Sequence, residues 1–89
     1  MSVIHTWSKF TTSAFKAAQI EERGLHQMIR YETYDGQTGE GEVIMAREMS
    51  SAGDFQWKLV ISVTDLDRMT IKDKFVPLQD VAQVEWEHV

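Results

Sequence analysis

The sequence predicts an α+β, mainly β domain: an N-terminal helix, then a five- to six-stranded antiparallel small barrel or highly curved sheet. Three observations predict it. First, residues 55–63 alternate, with Phe55, Trp57, Leu59, Ile61 and Val63 set against Gln56, Lys58, Val60 and Ser62. A period of two places five large apolar side chains on one face of a strand, and the mostly polar opposite face is that of an antiparallel strand with one side on a core. Second, further short alternating runs recur between turn-forming residues, the spacing of a small sheet or barrel. Third, residues 13–23 combine helix formers with capping candidates at both ends.

In chain order, residues 1–10 hold Val3, Ile4, His5, Trp7 and Phe10, too apolar a set for a loose tail. The segment is expected to pack on the domain with Trp7 and Phe10 as anchors, since a buried aromatic removes on the order of 150–250 Å² from water. Thr11, Thr12 and Ser13 are candidate N-caps for the helix over 13–23, and Gly24 stands where a left-handed stop belongs. At 100° per residue Phe10, Ala14, Ala17 and Ala18 share a face, with Phe15 at its margin, so the helix is expected to dock through small residues. Glu21 and Glu22 oppose the macrodipole and read as a solvated helix end.

A first strand is expected over 25–34, with Leu25, Ile29 and Tyr31 on one side. Asp35-Gly36 is a turn dipeptide, and Gly39 and Gly41 close behind it point to a long loop or a bulge. A second strand over 42–49 turns Val43, Met45 and in some registers Met49 inward. Residues 50–54 form the loop into the alternating strand, and 64–68, with Asp65 and Asp67, the next turn. Residues 69–72 form a strand, Asp73-Lys74 a small turn, and Phe75 and Val76 a short strand. Pro77 then breaks the ladder and starts one helical turn from which Leu78 and Val81 point the same way. Val84 and Trp86 alternate with Glu85 and Glu87 in a closing strand.

The 89 residues make one domain, residues 1–89, whose size allows one core and leaves little for a deep substrate pocket. With no cysteine, disulfides, thiolate metal sites and cysteine nucleophiles are excluded. No apolar run is long enough to cross a membrane as a helix and no signal-type leader is visible, so a cytoplasmic, non-membrane protein is expected. The net charge of −5, with 9 basic residues scattered singly against 14 acidic ones, weighs against broad phosphate-backbone binding.

Two stretches carry a family resemblance. Ile29-Arg-Tyr-Glu-Thr-Tyr-Asp-Gly running into Gly41-Glu-Val-Ile, then Met69-Thr-Ile-Lys-Asp-Lys-Phe-Val-Pro-Leu-Gln-Asp-Val-Ala-Gln-Val-Glu, resemble the YolD-like family over about two thirds of the chain. Trp7, Lys9 and Phe10 ahead of the helix fit the same pattern, whereas the loop over 47–55 is longer than that family's. The resemblance implies a Sm-like or SH3-like small barrel and a role near mobile-element or DNA-damage-response genes, and it brings no catalytic motif.

Candidate chemistry is thin. His5, His26 and His88 lack the spacing of a zinc pair, and Glu85, Glu87 and His88 read as an exposed strand end rather than a chelate. The carboxylate pairs Asp65/Asp67 and Glu40/Glu42 fall in expected turns, where they are solvated. Ser50 and Ser51 lack a nucleophile elbow, and the glycines lack the lysine and helix of a phosphate loop. No catalytic residue, metal or cofactor is expected.

The function expected is a non-enzymatic protein-interaction or regulatory module. Its partner is a protein of unspecified identity, or a second copy in a homodimer, engaged through a sheet edge or an aromatic surface of Trp7, Phe10, Phe15 and Tyr34. The same aromatics have a second reading, as the cover of an open barrel edge. Two alternatives have their own signatures. A Sm-like nucleic-acid binder would gather Arg30, Arg47, Lys58, Arg68, Lys72 and Lys74 on one surface. An acidic nucleic-acid mimic would array Glu32, Asp35, Glu40, Glu42, Glu85 and Glu87 in one stripe.

Overall fold

The computed structural model describes residues 2–51 and 53–87. The chain runs β1 (Ser2–Thr6), α1 (Ser13–Arg23), β2 (Met28–Thr33), β3 (Thr38–Ser51), β4 (Asp54–Asp65), β5 (Thr70–Pro77), a single 3-10 turn (Leu78–Asp80) and β6 (Val81–Glu87). The six strands form one sheet in the order β1-β6-β2-β3-β4-β5, every neighbouring pair antiparallel. The sheet does not close: β1 and β5 are its two free edges, so of the two expected forms the barrel is absent.

α1 packs on β3, β4 and the 3-10 turn, covering one face of the sheet. Between them lies a single core that includes Ile29, Tyr31, Val43, Ala46, Leu59, Ile61, Val84 and Trp86 from the strands, Ala17 and Ile20 from the helix, and Trp7 and Leu78 from the connections. Leu59 and Ile61, at the centre of the alternating stretch, are fully buried as expected, while Phe55 at its outer end is exposed. The 3-10 turn after Pro77 buries Leu78, and Val81 follows it into the core.

The helix bounds match the expectation, and the Thr12 side chain accepts the Phe15 amide at 3.3 Å. Its buried face matches the expectation only at Ala17. Lys16, Ala17 and Ile20 point at the sheet, while Ala14, Phe15 and Ala18 face out. Sequence patterning missed this because a lysine interrupts the apolar stripe. Lys16 is 0% exposed, and its Nζ donates to the Leu78 carbonyl at 3.1 Å and the Val81 carbonyl at 2.8 Å. The ammonium also lies 5.1 Å from the Tyr34 ring centroid and 5.7 Å from that of Trp7. Burial pushes its pKa below the ordinary 10.5, and the Asp80 carboxylate pulls it back up.

Several local expectations are corrected. Gly24 has a right-handed φ of −115°, and the positive φ belongs to His26, at 63°, in the connection to β2. That connection takes up Leu25, so β2 begins at Met28. The N-terminal segment is a strand, because Ser2–Thr6 finds an antiparallel partner in β6, and the Trp7 amide extends the ladder to the Ala82 carbonyl at 2.9 Å. Phe10 is 93% exposed and anchors nothing. A bulge between Val43 and Met45 inserts one residue into β3, so Ala46 turns inward and Met45 outward. The expected loop is taken up by strand on both sides, with β3 running to Ser51 and β4 starting at Asp54. Asp73 and Lys74 make no turn: their backbones pair with Ser62 and Ile61 inside a continuous β5.

Gly36 supplies the positive φ, 89°, of the β2–β3 turn. Gly39 is required for a different reason. It lies opposite Tyr31 in the ladder, and a methyl group at Gly39 would overlap the buried Tyr31 ring.

Candidate interaction surface

Strand alternation sends one side chain in two to the face that α1 leaves bare. Register then fixes which groups meet there. One row across the sheet reads Ile4, Glu85, Arg30, Glu40. The next reads Met28, Glu42, Ser62, Asp73, and on the other side of the first row lie Gln83, Glu32 and Thr38. Glu32, Glu40, Glu42 and Glu85 therefore share one face over β6, β2 and β3, with Arg30 the one basic residue among them in those rows. Arg30 bonds Glu40, Nη2 to Oε2 at 3.2 Å, in an exposed pair that neutralises little of the band. The Gln83 amide donates to Glu32 at 2.9 Å and fixes that carboxylate in place.

This face was only partly visible in the sequence. Glu40 was expected in the loop that Gly39 and Gly41 suggest, and Glu42 at the border of that loop and the second strand, yet both sit well inside β3. Asp35 stands apart in the β2–β3 turn. Its carboxylate accepts the Thr33 hydroxyl and the Gln37 amide, which hold its pKa below the ordinary value. The Glu87 side chain, expected in this band, lies outside the described set, and His88 lies outside the described residues.

The basic residues do not gather. Arg47 and Lys58 are cross-strand neighbours on the bare face, whereas Lys72 and Lys74 pair with Val63 and Ile61 and so point to the helix side. There they line an open groove at the β4–β5 hairpin with Val63, Asp65 and Leu66. Arg68 stays in the hairpin turn beside Asp65, whose Oδ1 accepts the Asp67 and Arg68 amides at 3.1 and 3.3 Å. Asp65 is thus a turn-forming residue, as the sequence indicated.

The four aromatics singled out from the sequence divide. Trp7, 7% exposed, belongs to the core, with its indole N–H donated to Gln19 Oε1. Tyr34, 38% exposed, ties the N-terminal connection down: its hydroxyl donates to the carbonyls of Ser8 at 2.7 Å and Trp7 at 3.2 Å. Phe10 and Phe15, 93% and 54% exposed, remain open to solvent at the entry to α1. Further exposed apolar side chains, Leu66, Met69, Ile71 and Phe75, lie along the β4–β5 hairpin.

Among the described residues no three His, Asp or Glu side chains come close enough to hold a metal ion, and every buried side-chain nitrogen and oxygen has a hydrogen-bond partner. Nor is any described helix long and apolar enough to cross a membrane. No protein-family model, no curated protein and no solved structure matches this chain.

Proposed function

We propose that this protein is a non-enzymatic interaction module whose bare sheet face docks a protein partner presenting a basic surface. The observation that carries the proposal is the band Glu32, Glu40, Glu42 and Glu85, four carboxylates brought by register into adjoining rows of one uncovered face with Arg30 the one basic residue in those rows, while Arg47 and Lys58 stand farther along the face on β3 and β4. Such a field speeds encounter with cationic partners and repels polyanions. Met28 and Ile4, both exposed at the margin of the band, supply apolar contact beside the charge.

The second reading is an acidic nucleic-acid mimic, that is, an inhibitor whose target is itself a nucleic-acid-binding protein. The same four carboxylates favour it. The split of the basic residues between two faces argues against a nucleic-acid binder of the Sm-like kind. The YolD-like resemblance adds a mobile-element or DNA-damage-response context to the proposal.

The test is fluorescence anisotropy with a labelled lysine-rich peptide and, separately, a single-stranded oligonucleotide. Binding of the peptide that weakens with salt, and falls at least about tenfold in Glu42→Lys and Glu85→Lys, supports the acidic face. Peptide affinity unchanged by either reversal sinks it, as does tighter binding to the oligonucleotide than to the peptide.

A further inference from the structure

The two free edges of the sheet are not alike. β5 carries Lys72, Asp73 and Lys74 at its middle, charges that blunt an edge against pairing. β1, Ser-Val-Ile-His-Thr, carries no carboxylate, lysine or arginine. Its one titratable side chain, His5, is stacked on Trp86 with ring centroids 4.6 Å apart. β1 is an edge without a guard.

The hydrogen-bond phase of β1 is fixed. The Trp7 amide bonds the Ala82 carbonyl, and in an antiparallel ladder the backbone groups of alternate residues point the same way. His5 and Val3 therefore bond β6 through their partners Val84 and Trp86. Ser2, Ile4 and Thr6 direct their backbone N–H and C=O groups outward, to the open side.

We infer that β1 pairs antiparallel with β1 of a second copy about a two-fold axis at Ile4, joining two six-stranded sheets into one. In that register Ile4 faces Ile4 and Ser2 faces Thr6, so each outward-directed backbone group meets an outward-directed partner. Both conditions, phase and neutrality, are met by one register. The same operation on β5 about Asp73 would set Asp73 against Asp73 and Lys72 against Lys74. The two-fold axis stands perpendicular to the sheet, so both bare faces lie on the same side. The row Glu40-Arg30-Glu85-Ile4 then continues into Ile4-Glu85-Arg30-Glu40 of the second copy. The pairing is independent of the acidic-face reading, and its test reads self-association alone.

Sedimentation velocity over a concentration series is the experiment, on wild type, Ile4→Lys and Ile71→Lys. The expected result is a reversible wild-type dimer, a dissociation constant raised at least about tenfold in Ile4→Lys, and no change in Ile71→Lys. Because the chain has no cysteine, Ile4→Cys gives a single reporter thiol that tolerates loss of the isoleucine. Paired Cα atoms about 5.5 Å apart lie within disulfide reach. Under oxidised glutathione Ile4→Cys should form a covalent dimer faster than Ile71→Cys. A wild type that stays monomeric throughout, or cross-linking no faster at position 4 than at 71, overturns the inference.

Discussion

Replacing Lys16 tests what a buried cation does in this core. Lys16→Met keeps an unbranched apolar stem but removes the bonds to the Leu78 and Val81 carbonyls. Each charge-assisted bond is worth about 1.5–3 kcal/mol, while holding an ammonium out of water costs several kcal/mol, a penalty that the methionine does not carry. The lowered pKa shows that burial prevails over the pull of Asp80. The Leu78 carbonyl also keeps the Val81 amide as a donor. The two effects nearly offset, so Lys16→Met should lie within about 2 kcal/mol of wild type at neutral pH. Lys16→Ala forfeits the stem as well, and should cost about 2–5 kcal/mol through lost burial and the cavity left behind. Urea unfolding followed by tryptophan fluorescence measures both. The pH dependence supplies a further check with a definite sign. Between the lowered folded pKa and the ordinary 10.5 the unfolded chain binds more protons at this site. Wild-type stability relative to Lys16→Met should therefore rise as pH climbs through that window, and should be flat below it. A Met variant as unstable as the Ala variant, or a difference that does not change toward pH 10.5, would refute the reasoning.

Two further outcomes follow from the ladder. Gly39→Ala should destabilise by about 1–3 kcal/mol, because its methyl must displace the Tyr31 ring, whereas Gly36→Ala is strained by its φ of 89° but meets no atom within 4 Å; denaturant midpoints compare them. The Asp35 carboxyl should titrate below 3.8 by NMR, since the Thr33 hydroxyl and Gln37 amide stabilise its ionised form. Its stabilising share is present above the unfolded value and is lost as pH falls through the folded one, a loss that Asp35→Asn should lack.

Much of the fold was legible because it rests on local rules. Thr12 and the run after it mark α1, the period of two marks β4, and Pro77 marks the 3-10 turn. What failed depends on partners far along the chain. One inserted residue in β3 reverses parity, so Met45 and Ala46 exchange faces, and nothing local announces it. Lys16 looks like a surface residue until carbonyls 62 and 65 positions away supply its acceptors. Glu40 looked like a loop residue because the reason for Gly39 is a ring on the neighbouring strand. The acidic face is a property of register, and register is what single-sequence patterning resolves least.

The pairing of the first strand with the last has a consequence for synthesis. β2 to β5 can form as a meander while the chain is still emerging, each strand finding the one before it. β1 cannot join, because its one neighbour among the described strands is β6, residues 81–87. Until those residues leave the ribosome, Val3, Ile4 and the neutral backbone around them have no native partner, and the open side of β2 waits with them. Nascent chains on one message are thus exposed longest at β1, the strand without lysine, arginine or carboxylate to deter a neighbour, and slow emergence of the C-terminal segment should raise the yield of aggregate.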